Sequence, residues 1–197
     1  MKLYRPATIL VGVLFILLGG LTRLATPEQV YDEQNMKAVR GTVGEVLQYG
    51  GGDSTVKVTR MKFAKAIVEN DEDKPIETNG VFVAIEWDTV RGSEKPNNIK
   101  ATLTADGGTV YAPIGLTNSG MDFPEAGFGK TGAVIFEVNP SDLKDLTLNV
   151  RPTMFFNTYN SYVLVDLGIP GDDIAQRMVD EAAAQYVLPR PVVRVAS

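Results

Sequence analysis

Val81-Phe82-Val83-Ala84-Ile85-Glu86-Trp87-Asp88-Thr89-Val90 is the stretch that decides the fold. Val81, Val83, Ile85 and Trp87 fall on one face of an extended chain, with Glu86 and Asp88 opposite, which is the period-two pattern of a half-buried strand. Ala133–Val138 repeats it, Val134, Phe136 and Val138 sharing a face and Glu137 lying across from them. Trp87, the single tryptophan, is expected at the core of the sheet packing, since a large aromatic on an alternating apolar face supplies burial; surface binding is its alternative role.

Working outward, short segments rich in β-branched and aromatic residues recur between Gly, Asn, Asp and Pro clusters. Strands are expected near Ala38–Leu47, Thr55–Ile67, Val81–Val90, Ile99–Thr104, Thr109–Ala112, Ala133–Val138, Leu146–Val150 and Tyr162–Leu167. Such spacing marks an antiparallel β-sandwich. In the second segment Val56 and Val58 alternate on even positions and Met61 and Phe63 on odd ones, so a bulge is expected at Thr59–Arg60. Gly50-Gly51-Gly52-Asp53 and Asp106-Gly107-Gly108 supply tight turns. Asn139-Pro140-Ser141-Asp142 stops a strand, with Ser141 or Asp142 placed to cap a short helical turn.

The segment from Gly127 to Val150, with Gly132-Ala133-Val134-Ile135-Phe136-Glu137-Val138, then Pro140 and Leu146-Thr147-Leu148, resembles a family of Ig-like domains of unknown function. These occur in Gram-positive, actinobacterial exported proteins and are similar in fold to the mycobacterial immunoprotective secreted antigen. Thr78-Asn79-Gly80-Val81-Phe82-Val83 is similar to the family strand that begins Thr-x-Gly, and the resemblance spans about Ala38 to Leu167. It departs at Asn139, where the family joins valine directly to proline, and at the N-terminus, where many members carry a lipid-anchoring cysteine. The resemblance implies a mostly β, immunoglobulin-like antiparallel sandwich with no established catalytic residues. It carries fold further than function.

Ahead of the sandwich, Lys2 and Arg5 precede an uncharged run from Ala7 to Leu21, apolar but for Thr8, that includes Gly12, Phe15, Gly19 and Gly20. Extended through Thr22, this run as a helix is roughly 24 Å long at about 1.5 Å per residue. That length lies between a signal-peptide core and a spanning helix. Arg23 occupies the third position before a cut after Ala25, where signal peptidases want a small residue, so an uncleaved anchor is favoured over a cleaved signal. Charge asymmetry orients the N-terminus to the cytoplasm and residues from about 26 outward. Gly12, Gly19 and Gly20 would let a neighbouring helix approach closely. The domain organisation read this way is 1–25 anchor, 26–37 linker, 38–168 sandwich and 169–197 C-terminal helix and tail.

That C-terminal part begins with Pro170-Gly171-Asp172-Asp173, a helix start, after which Ile174, Met178, Ala182 and Tyr186 recur every four residues up to about Val187. The apolar face so formed packs either on the sandwich or on another subunit. Pro189-Arg190-Pro191 ends the helix. Val192-Val193-Arg194-Val195 then offers either a strand for a partner sheet or a frayed terminus.

Composition excludes much chemistry. The chain has neither cysteine nor histidine, which removes disulfides, thiolate nucleophiles, imidazole dyads and Cys/His zinc sites. Without Lys2, Arg5 and Arg23, the 19 basic residues fall to 16 against 24 acidic ones, a charge of −8 that argues against nucleic acid as a partner. Glu69, Asp71, Glu72 and Asp73 lack the spacing of a calcium loop and read as a solvated hairpin tip. Gly127-Phe128-Gly129-Lys130-Thr131 ends like a phosphate-binding loop, but Pro124 stands where its first glycine belongs and a strand follows, so no nucleotide is expected. No metal, cofactor or catalytic residue is assigned.

Two functional classes remain. The favoured one is a noncatalytic, membrane-anchored extracytoplasmic accessory subunit that joins an integral membrane protein through its helix and contacts partner or cargo through the sandwich and C-terminal helix. The other is a cell-envelope module that binds a small ligand, glycan or lipid through the loop Pro113–Gly132. Phe123 and Phe128 on that loop either bind or plug the open end of the sandwich. The candidate interaction residues are thus Phe123, Phe128, Ile174, Met178, Tyr186 and Val193.

Overall fold

The computed structural model describes residues 36–50, 53–70, 74–94, 99–153 and 161–196. The anchor residues Ala7, Gly12, Phe15, Gly19, Gly20 and Leu21 lie outside the described residues, as do most of the linker, the turn glycines Gly51 and Gly52, and Asp71, Glu72 and Asp73 of the acidic tip. Among the described residues no helix is long and apolar enough to cross a membrane.

The described chain is mostly β. Its strands are β1 Lys37–Thr42, β2 Val46–Gln48, β3 Thr55–Val68, β4 Ile76–Val90, β5 Ile99–Thr104, β6 Val110–Tyr111, β7 Phe128–Val138, β8 Thr147–Pro152, β9 Ser161–Asp166, β10 Tyr186–Val187 and β11 Val192–Val195. One helix, α1 Asp172–Asp180, and one 3-10 turn, Pro140–Asp142, interrupt them. One sheet runs β1-β9-β8-β5-β6; the other runs β10-β3-β4-β7-β11, with β2 also on β3. The pairs β1·β9 and β10·β3 are parallel and all the others antiparallel.

Both sheets turn apolar residues toward one core. Val83, Ile85, Trp87, Val134 and Phe136 from the second sheet meet Leu103, Leu148, Val150, Val163 and Val165 from the first, all almost wholly buried. Trp87 holds the place expected of it. It faces Gly132 across the β4·β7 ladder, and a methyl group added at Gly132 would come within 2.6 Å of the indole Cζ2. A side chain is therefore sterically excluded at Gly132. The ring takes the space.

The same two central strands are apolar on their other face as well. Phe82, Ala84, Ala133 and Ile135 form a second buried cluster with Ile67 and Leu188, and Ile114, Leu116 and Tyr186 close over it. Strand β3 reaches this layer past an irregularity: Ala64 pairs with Phe82 but Ala66 with Glu77, so four residues of β4 are passed over between them. A second register shift between Val58 and Arg60 is the bulge expected at Thr59–Arg60.

Several expected boundaries are corrected. Ala38–Leu47 is not one strand: β1 lies in the first sheet and β2 in the second, because Gly44 takes φ +95 and the Glu45 side chain caps the Thr42 amide in the turn between them. The region Pro113–Gly132 is not strand-free, since β7 begins at Phe128. The amphipathic helix ends at Asp180 and does not reach Val187. Beyond it, Ala183 bridges to Ala64, its N–H donating to Phe63 O and its carbonyl accepting from Lys65 N, so the open edge of β3 captures the chain and Tyr186 lies in β10. The 3-10 turn is capped by the Asn139 side chain, which accepts from Ser141 N, rather than by Ser141 or Asp142.

That turn carries a small polar network. The Tyr111 hydroxyl donates to Asp142 Oδ2 at 2.6 Å, and this bond, reinforced by Ser141, holds the Asp142 carboxyl below the usual carboxylate range. The sign follows from linkage. A depressed carboxylate contributes stability above its unfolded pKa and loses it as pH falls through the folded value.

Two outcomes are expected. Gly132→Ala should destabilise the domain by about 1–3 kcal/mol through overpacking against Trp87, read by chemical denaturation. Tyr111→Phe should raise the Asp142 pKa toward its ordinary value, read by a side-chain NMR titration.

Candidate functional site

The six interaction candidates divide sharply. Ile174 and Met178 lie on the face of α1 that packs, with buried Ala175, against the main core, so the chain covers its own helix. Phe123 also belongs to that core: its ring lies 5.2 Å from the ring of Tyr49, and the neighbouring Met121 is buried. Tyr186 covers the second cluster and donates its hydroxyl to Glu86 Oε1 at 3.0 Å. Burial, with the Glu86 carboxylate beside it, pushes the phenol pKa upward. These four side chains are spent inside the fold.

The loop preceding β7 is likewise engaged. Ile114 N–H donates to Ile135 O, Gly120 N–H to Ala133 O, and Ile135 N–H to Ser119 Oγ, so residues 113–120 line the upper part of the β7 edge. Lower down, Thr89 Oγ1 donates to Asp122 O at 2.8 Å and Lys130 Nζ meets Asp122 Oδ2 at 2.7 Å, which fixes the segment carrying Phe123. Phe123 therefore plugs the sandwich, whereas Phe128 does not. Apart from Phe128, the large apolar residues of the alternative ligand loop, Ile114, Leu116, Met121 and Phe123, pack against the two clusters.

Phe128 and Val193 remain, and the fold brings them together. Strand β11 runs antiparallel to the lower part of β7, placing Val193 opposite Lys130, Arg194 opposite Gly129 and Val195 opposite Phe128. Phe128 is 38% exposed, Val192 57%, Val193 56% and Val195 72%, half of the large hydrophobics exposed among the described residues. Covering a valine contributes about 1.5 kcal/mol or more, so leaving three uncovered on four residues forgoes considerable stability. Within the register, Phe128, Val193 and Val195 share the inner face of their sheet, beyond the reach of the main core. Val192 and Arg194 share the outer face.

Arg194 ties this strand down. Its Nη2 meets Asp88 Oδ2 at 2.5 Å, crossing β7 at Gly129, where a side chain would come within 1.8 Å of Nη1. The missing Cβ at Gly129 opens the path. The other outer-face pair, Arg60 with Glu86, lies across β3 and β4.

A separate open cavity of about 470 Å³ lies on the first sheet, lined by Arg40, Thr42, Glu45, Asp145, Thr147 and Asp166. Its carboxylates are partly committed to the backbone, Glu45 to Thr42 N and Asp166 to Gly168 N. Among the described residues no group of three or more acidic side chains is arranged to hold a metal. No protein-family model, curated protein or solved structure is significantly similar to this chain.

The sequence offers Val193 and Phe128 as separate candidates and Val192–Val195 as a possible strand, but neither the pairing of that strand with β7 nor the Arg194–Asp88 tie. The available signal was the strand-forming run Val192–Val195 alone, since Phe128-Gly129-Lys130-Thr131 carries Gly and Lys; what pairs with what is a long-range fact. Arg194→Ala is expected to shift the unfolding midpoint little, because a partly exposed ion pair contributes about 0–1 kcal/mol. Amide exchange at Arg194 and Ala196 should accelerate, as read by hydrogen–deuterium exchange.

Proposed function

We propose that this chain is a noncatalytic, membrane-tethered extracytoplasmic accessory subunit whose immunoglobulin-like sandwich makes its protein contact along β11. The observation that carries the contact is the unshielded edge itself: Phe128, Val193 and Val195 project beside unpaired backbone groups, and neither core claims them. Exposed apolar residues gathered on a strand edge favour protein association, because the strand supplies direction and the side chains supply affinity. The contact thus lies on β11 and not on α1, whose apolar face is already covered.

Tethering is supported by the apolar run Ala7–Leu21, by Lys2 and Arg5 before it, and by Arg23 at the disfavoured cleavage position. The fold-level resemblance to exported Ig-like domains agrees with an outward-facing module, and two opposed sheets around one core support it. The test combines mass and capture. Intact-mass analysis of the native protein should find a species beginning at Met1 in the membrane fraction; a soluble species beginning near Thr26 would remove the tether. Co-purification of protein partners, untagged copies of the chain included, with the tagged full chain should fall at least tenfold for Val193→Lys, at an unchanged unfolding midpoint.

A further inference from the structure

We propose that the occupant of the β11 edge is a second copy of this chain, which adds its own β11 antiparallel about a two-fold axis at Val193. The inference rests on the reading of β11 as the contact surface and names the partner.

The backbone sets the geometry. Ala196 N–H donates to Gly127 O on the β7 side. Backbone groups alternate along a strand, so those of Val192 and Arg194 face β7 and those of Val193 and Val195 face outward. With the axis at Val193, that residue and its copy exchange a pair of bonds, and each Val195 N–H donates to the Pro191 carbonyl of the other chain, roughly four bonds in all. Pro191, which lacks an N–H, falls at the end of the ladder, where the facing Val195 carbonyl stays in water.

Charge and shape favour a copy of the same edge. Arg194 is the single charged residue on β11 and is already met by Asp88 within its own chain. In this register it faces Val192 of the second copy, so no like charges are set opposite one another. On the other face Val193 meets its own copy, and Val195 and Phe128 of both chains extend the apolar strip across the axis, with Lys130 of each chain, held by its own Asp122, at the margins. Strand β11 is short and bears Arg194, but it carries few other guards of an edge: no proline within it, no bulge, no lysine. An interface this short falls below the roughly 1,200 Å² of a standard stable contact, so the dimer is weak and concentration-dependent.

The chain has no cysteine, so one introduced thiol gives an unambiguous reading. Full-length Val193→Cys in detergent, under mild oxidation, should form a disulfide dimer at least tenfold faster than Val110→Cys, whose position on β6 is 61% exposed. Adding Val195→Lys to the Val193→Cys chain should return the rate to that of Val110→Cys. Equal rates for the two single variants would overturn the proposal, as would crosslinking indifferent to Val195→Lys. If Val193→Lys still abolished capture of membrane partners while Val193→Cys failed to crosslink, the edge would stand as a contact surface and the second copy would fall as its occupant. If Val193→Lys left capture of membrane partners unchanged and Val193→Cys also failed to crosslink, both readings would fall together.

Discussion

Strands β4 and β7 have to be covered on both faces, and the rest of the domain follows from that requirement. Trp87, Ile85 and Phe136 on one side need a facing sheet; Phe82, Ala84 and Ile135 on the other need a second cover. A five-stranded sheet answers the first need. The second is met by pieces that would otherwise be loops: Ile114 and Leu116 before β7, Ile67 beyond the irregularity in β3, and Leu188 near the C-terminus. Irregular segments with few internal contacts are ordered here because they desolvate a sheet face.

This double demand also explains why the C-terminal chain travels as it does. After α1 has docked on the main core, the segment from Ala183 to Leu188 is drawn along the edge of β3, with Leu188 N–H meeting Val68 O. The chain then passes to β11 at the opposite edge of the sheet order. Helical periodicity through Tyr186 was a local preference, and it yielded to unpaired β3 backbone groups and an uncovered apolar layer. Tertiary demand outweighed a few tenths of a kcal/mol per residue in propensity.

Much of the sheet framework was legible from residue pattern alone. Alternation at Val81–Trp87 and Val134–Val138 located the central strands, the switch from even to odd positions after Val58 located the bulge, and Asp106-Gly107-Gly108 located a hairpin whose Gly108 takes φ +82. What escaped was the second apolar face. Phe82 and Ala84 sit at positions that a one-sided strand leaves polar, and that break in alternation was the available signal of a covered outer surface. The candidate site was legible as residues and illegible as a place. Phe128 and Val193 were both in view, but only the register of β11 on β7 sets them beside Val195, and nothing local distinguishes them from the spent Phe123, Ile174, Met178 and Tyr186.

Trp87 carries a consequence for how this protein can be watched. Its indole Nε1 is buried without a hydrogen-bond partner among the described residues, while its ring lies against a glycine that leaves room for nothing else. As the sole tryptophan beside seven tyrosines, it makes the emission excited selectively beyond tyrosine absorption a single-site signal from the contact of the two sheets. In so buried a setting that emission is expected to the blue, shifting to the red as water enters between the layers.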